Sequence, residues 1–195
     1  MRNLIESSIR DSMELKRRML ESPELLAQID RAAEESVRAL RSGGKVLLCG
    51  NGGSASDAQH LAGEFVSRFR YDRAPLPAVA LNCNASILTA IGNDYDYELV
   101  FERQVRALGK PGDVLWAFST TGNSKNVASA LATARELGMK TVGFLGGSGG
   151  VCLAEAEIPL LVPSGDTPRV QECHITIGHA LCDCVERELF PREDR

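Results

Sequence analysis

Two stretches of this 195-residue sequence place metal-ligating and acid–base side chains at helical spacing. His60 and Glu64 are four residues apart, which on a helix puts both on one face, one turn from each other. An imidazole and a carboxylate so placed can ligate zinc or another divalent transition metal. An exposed His/Glu pair without a role has the same spacing. Near the carboxyl end stand Gln171, Glu172, His174 and His179. At about 100° per residue, His179 lies roughly 80° round a helix from Gln171 and two turns along it, so both can look toward one site. His174, three residues from Gln171, can do so as well, and spacing leaves the choice between the two histidines open.

Two further stretches suit an anion. Gly50-Asn51-Gly52-Gly53-Ser54 leads into a helix, so its backbone can approach a ligand closely and the helix N-terminus offers free N–H groups. Ser119-Thr120-Thr121-Gly122-Asn123-Ser124 also enters a helix and adds four hydroxyls able to donate to phosphate oxygens. Either could equally be a turn with an N-cap. Three better-known glycine motifs fail. No G-x-x-x-x-G-K-[ST] string exists. Gly50, Gly52 and Ala55 fit a dinucleotide fingerprint, but the acid expected after the second strand is replaced by Leu81-Asn82-Cys83-Asn84. Gly147-Ser148-Gly149 lacks the spacing of a nucleophile elbow.

The elements that must carry these groups follow from periodicity. Residues 3–42 read as helical, with Ile5, Ile9, Met13 and Leu20 on one face. Ser22-Pro23 opens a second helix and Ser42-Gly43-Gly44 closes it. The first apolar face is expected to pack either on the core or on another subunit. Short apolar strands are predicted at 45–49, 78–81, 114–118, 141–145 and 158–162, with helices at 54–70, 86–91, 124–137 and 169–189. That alternation indicates an α/β, doubly wound, five-stranded parallel sheet. A single domain is expected over 1–195, with N-terminal helices at 1–42 and the α/β core at 45–190. Trp116 is expected in the core, Gly146–Gly150 as a flexible loop, and Arg68, Arg70 and Arg73 as a solvated basic edge.

Composition narrows the function. With 44% hydrophobic and 25% charged residues the chain can bury a core. No apolar run reaches the roughly 18 residues of a membrane span. The mixed charges of the first twenty residues do not read as a secretory signal. Six scattered cysteines with no C-x-x-C pair suggest reduced thiols in a cytoplasmic protein. A net charge of −4 argues against nucleic acid as a partner.

Taken in order, Gly50–Ser54, His60-x-x-x-Glu64, Gly92-Asn93-Asp94, Ser119–Ser124 and Gln171-x7-His179 resemble the phosphoheptose isomerases of the sugar isomerase (SIS) domain family over nearly the whole chain. The resemblance implies a flavodoxin-like strand order and a homotetramer with active sites at subunit interfaces. It implies conversion of sedoheptulose 7-phosphate to D-glycero-D-manno-heptose 7-phosphate, opening the route to activated heptose for lipopolysaccharide or other surface glycans. It implies one zinc per subunit on His60, Glu64, Gln171 and His179. Substrate contacts carry over to Asn51, Gly52, Gly53, Glu64, Asn93, Asp94, Ser119, Thr120, Thr121, Ser124 and Gln171, and the catalytic pair to Glu64 and His179. The residue types agree, because aldose–ketose isomerisation needs a base near carbon and an acid at the carbonyl oxygen. A metal ligand is a weakened base, so the two roles of Glu64 pull against each other. Arg169 and Asp166 are further candidates near Gln171. A rival within the same fold is the non-catalytic protein that associates with the DnaA replication initiator. The retention of Glu64 and His179 favours the enzyme. A sugar-phosphate-sensing regulator would need a DNA-binding segment, for which the N-terminal helices and acidic balance offer no candidate.

Overall fold

The structure, a computed structural model, describes residues 1–192; the last three residues of the span expected as one domain lie outside them. Helices α1 (Arg2–Leu20) and α2 (Pro23–Arg41) open the chain. The break between them is chemical. The Ser22 side chain accepts from the Leu25 N–H, and Pro23 occupies the first turn, where its missing N–H costs nothing. Then follow β1 (Val46–Gly50), α3 (Gly53–Val66), β2 (Ala78–Ala80), α4 (Ala85–Asp94), α5 (Glu102–Leu108), β3 (Val114–Ser119), α6 (Lys125–Glu136), β4 (Lys140–Gly146), β5 (Ile158–Val162) and α7 (Thr167–Leu189). The expected five strands are present. The short helix α5 and the single 3₁₀ turns at Tyr97–Leu99 and Gly150–Cys152 were not foreseen, being too short to show a period.

All strand pairs are parallel and the order is β2-β1-β3-β4-β5, the flavodoxin-like order expected. Successive residues of the inner strands serve opposite layers. Val46, Leu48, Val114 and Trp116 pack with α1, α2, α3 and α7, while Leu47, Cys49, Leu115 and Ala117 pack with α5 and α6. Trp116 is buried as expected, its indole N–H donating to Ser36 Oγ at 3.1 Å. Because α3 leaves β1 toward one face and α6 leaves β3 toward the other, a crevice opens between the carboxyl ends of β1 and β3, where such sheets bind ligands.

Of the two alternatives for the N-terminal apolar face, packing on this chain's own core is excluded. Ile5, Ile9, Met13 and Leu20 are exposed, and it is Leu15 and Met19, on the next face round, that are buried. The Gly146–Gly150 run, expected as a flexible loop, is closely packed in the structure. A Cβ on Gly122 (φ +71°) would fall 2.1 Å from the Gly149 carbonyl oxygen, so this run is packed backbone to backbone against the hydroxyl-bearing loop.

Candidate active site

The seam between α3 and α7, both on one face of the sheet, gathers the predicted chemistry. On α3, His60 Nε2 lies 3.3 Å from Glu64 Oε1, as one helical turn dictates. From α7, 119 residues away in sequence, His179 brings its Nε2 to 2.8 Å from His60 Nε2. One donor atom from each of the three lies within 4.8 Å of the others. His60 is exposed, Glu64 and His179 half-buried. Burial, and then the neighbouring His60, push the His179 imidazole below its ordinary pKa, with Glu64 opposing, so the ring is neutral at pH 7. Two lone-pair-bearing nitrogens and a carboxylate oxygen turned to one point suit a shared cation or proton.

Gln171 enters through a residue the spacing argument missed. Its amide N–H donates to Asp57 Oδ1 at 2.8 Å, and a Cβ on Gly53 would come within 3.3 Å of its amide carbon. Asp57 is 5% exposed, its Oδ2 has no partner, and burial raises its pKa. The signal was present, since Asp57, His60 and Glu64 stand at i, i+3 and i+7 on one helical stripe. With its N–H side held by Asp57, Gln171 keeps its carbonyl oxygen for a ligand.

The crevice itself is bridged by two amides. Asn51 Nδ2 donates to Asn126 Oδ1 at 2.9 Å, and Asn126 Nδ2 returns a bond to Asn51 Oδ1 at 3.0 Å. The Tyr97 hydroxyl also donates to Asn51 Oδ1, at 3.3 Å. Asn51 therefore has its oxygen engaged and one N–H left to offer. Neither Asn126 nor Tyr97 stood out in the sequence, because each matters only through Asn51. Gly52 (φ +55°) makes the turn that starts α3. On the second loop, Ser119 Oγ donates to Ser124 Oγ at 3.0 Å, Thr121 Oγ1 accepts from the Asn123 N–H, and Thr120 is half-buried.

Not every candidate converges. Asn93 and Asp94, at the exposed end of α4, bond to each other at 2.8 Å rather than to the cluster. Arg169 is spent on the Ser8 carbonyl at 2.8 Å and on Glu172 at 3.0 Å, joining α7 to α1. Asp166 is an exposed N-cap position whose side chain does not cap α7. Of the expected solvated arginines, Arg68 is exposed but Arg73 is buried against Glu186. His174 is wholly buried between Phe118 and Phe144, which separates it from His179 where spacing could not. Neither of its ring nitrogens forms a hydrogen bond of ordinary geometry; burial lowers its pKa to about 4, the Leu145 backbone pulling the other way.

Known proteins share this arrangement of the chain. The SIS domain family matches residues 10–146. A phosphoheptose isomerase of Clostridium acetobutylicum is 55% identical over 190 residues, covering 97% of each chain. Another, from Burkholderia pseudomallei, is 50% identical over 189 residues, covering 97% of this chain and 96% of its own. Among solved structures, a phosphoheptose isomerase of Neisseria gonorrhoeae superposes with a TM-score of 0.89 at 41% identity, covering 95% of this chain and 98% of its own.

Proposed function

The chain belongs to the SIS domain family, among its phosphoheptose isomerases, and from that premise we propose how its site interconverts sedoheptulose 7-phosphate and D-glycero-D-manno-heptose 7-phosphate. It is an aldose–ketose isomerase. The observation that carries the mechanism is the convergence of His60, Glu64 and His179 where α7 meets α3, the helix that the glycine loop at the end of β1 opens. Glu64 takes the proton from one carbon of the substrate and returns it to the neighbouring carbon, through an enediol. His179, neutral at pH 7, accepts and returns the oxygen proton. The Asn51 N–H, the Gly52–Gly53 turn, the hydroxyls of Ser119, Thr120, Thr121 and Ser124, and the α6 N-terminus hold the sugar phosphate. Asn93 and Asp94, exposed at the end of α4, offer an amide and a carboxylate to the sugar hydroxyls. An acidic protein can hold one phosphate this way, because local N–H and O–H donors, not net charge, answer it.

The donor set fits zinc in chemistry: two imidazoles, a carboxylate and the Gln171 carbonyl oxygen that Asp57 leaves free. We propose that His60, Glu64, Gln171 and His179 hold one zinc ion. When bound it supplies Lewis acidity toward the substrate oxygens and the developing enediolate charge. We further propose that residues 1–195 form one domain and that the chain works as a homotetramer, supported by the exposed Ile5, Ile9, Met13 and Leu20. Among the described residues no helix is long and apolar enough to cross a membrane, in keeping with a cytoplasmic enzyme that feeds activated-heptose synthesis for lipopolysaccharide or other surface glycans. The test is turnover of sedoheptulose 7-phosphate with and without a chelator, alongside metal analysis. Loss of turnover on chelation, with restoration by zinc, is expected. Full turnover in metal-free protein would refute the zinc, and no turnover together with tight binding of a replication initiator would refute the enzyme.

A further inference from the structure

One turn and more beyond the cluster lies a polar group that the mechanism above leaves unused. Glu186 stands two turns past His179 on α7, with a side chain only 1% exposed, and Arg73, in the segment after α3, is 2% exposed. Arg73 Nε donates to Glu186 Oε1 at 3.0 Å. The same carboxylate accepts from the backbone N–H groups of Phe69 at 2.9 Å and Arg70 at 2.7 Å. The remaining guanidinium nitrogens donate to the Phe65 carbonyl at 2.6 Å and the Glu64 carbonyl at 2.8 Å. A buried ion pair seldom stabilises a fold more than apolar side chains of the same volume would. Where these bonds end is therefore the informative part.

They end on one member of the proposed catalytic pair and on a residue whose ring lies against the other. On one side the guanidinium grips the main chain of Glu64 itself, in the last turn of α3, where helix carbonyls lack partners of their own. On the other, the carboxylate fixes the backbone of Phe69, whose ring lies against that of His179, centroids 5.6 Å apart and planes 31° apart. The Arg70 guanidinium also lies over the Phe69 ring, 5.0 Å from its centroid. We infer that the Arg73–Glu186 pair, acting through the Glu64 carbonyl and the Phe69 ring, is the positioning device that holds Glu64 and His179 in mutual alignment. The inference rests on the isomerase reading. Only arginine can do this, because a planar fork of five donors reaches the carboxylate and two carbonyls together, whereas an ammonium is a point charge. A helix cap alone would have needed only the carbonyl bonds and would act on stability without touching turnover.

The experiment compares the intact oligomeric enzyme with Arg73→Lys, Glu186→Gln and Phe69→Leu, and with Asp113→Ala, which breaks a buried pair at the far end of the sheet. Melting temperature, kcat and KM for sedoheptulose 7-phosphate are read for each. Arg73→Lys and Phe69→Leu are expected to lower kcat about ten- to a hundredfold with KM nearly unchanged, since misplacement of reacting groups by about 1 Å costs that much. Asp113→Ala lowers the melting temperature and leaves kcat in place. Phe69→Leu keeps the ion pair, so it decides the matter if the charge variants fail to fold. An unmoved kcat in Phe69→Leu, or in a folded Arg73→Lys, overturns the inference, as does a loss confined to KM. A wild-type chain without turnover overturns the isomerase reading and this inference with it, whereas an active wild type with insensitive variants overturns this inference alone.

Discussion

Asp113, just before β3 at the amino end of the sheet, and Asp57, on α3 at the carboxyl end, are 2% and 5% exposed, yet their surroundings are opposite. Asp113 accepts from the Lys45 N–H and the Lys110 N–H, each at 2.9 Å, and from the Lys45 ammonium. Asp57 accepts one bond, from Gln171, and its second oxygen has no partner. One carboxylate is fully answered and ties the residue before β1 to the turn before β3. The other has an oxygen without a partner on the helix that carries His60 and Glu64, two of three convergent side chains able to hold a metal ion. A fold gains stability from satisfied buried groups, and an unsatisfied one calls for an explanation, of which a ligand is one. In these two aspartates the difference is that one is held by its neighbours and the other keeps an oxygen free to bind.

The largest test of that division is Glu64→Gln. It is expected to reduce turnover about a thousandfold, the range for a lost acid–base group, while circular dichroism and melting temperature stay at wild-type values. Near-normal turnover would remove the chemistry from the carboxyl end. Asp113→Ala is expected to do the reverse, costing about 3 kcal/mol of stability by stranding Lys45, with turnover per folded molecule preserved. Denaturant titration checks it, and a variant as stable as wild type would break the contrast from the other side.

His174 supplies a third case, a buried group with no good partner and no place in the cluster. Its folded pKa of about 4 lies below the ordinary 6.5, so the unfolded chain takes up a proton first as pH falls. Its contribution to stability is full above pH 6.5 and lost between there and about 4, an effect of about 3 kcal/mol at the limit. Denaturant midpoints across that range should be flatter in His174→Leu than in wild type. Identical slopes would show that the imidazole is not kept neutral by burial. Asp57→Asn is expected to cut turnover about tenfold, as loss of an outer-shell partner does, while leaving the melting temperature no lower than wild type. A fall as deep as that of Asp113→Ala would make the two aspartates equivalent. Asn126→Leu should have the smallest effect, raising KM about fivefold through the freed Asn51 amide with kcat retained; a steady-state titration reads it.

Much of this was legible without coordinates. The inner strands announce themselves as unbroken apolar runs because a parallel strand is buried on both faces, and β1, β3 and β4 are so buried. The two strand-to-helix loops after β1 and β3 follow directly from their glycines and hydroxyls at the ends of apolar runs. The edge strand β2 is three residues long and half-exposed, so its apolar signal is weak and its expected span ran one residue too far. Arg73 reads as part of a basic surface until its partner, 113 residues on, is brought beside it. Whether Ile5, Ile9 and Met13 pack on the core or on another subunit stays open in the sequence, because periodicity reports that a face is apolar, not what covers it.

What the sequence determined by itself is everything governed by local geometry: the helical pitch that puts His60 and Glu64 one turn apart, the caps that divide α1 from α2, and the strand-to-helix turns that expose N–H groups. Its resemblance to a family then named the residues to watch. Only the tertiary structure decided which distant groups meet. The order of the strands sets α3 beside α7, and that juxtaposition chooses His179 over His174, recruits Asp57 to Gln171 and buries Arg73 on Glu186. The physical reason is one of range. Backbone sterics and periodicity act over a few residues, whereas the pairing of α3 with α7 is fixed by burial of the whole sheet between its two helical layers.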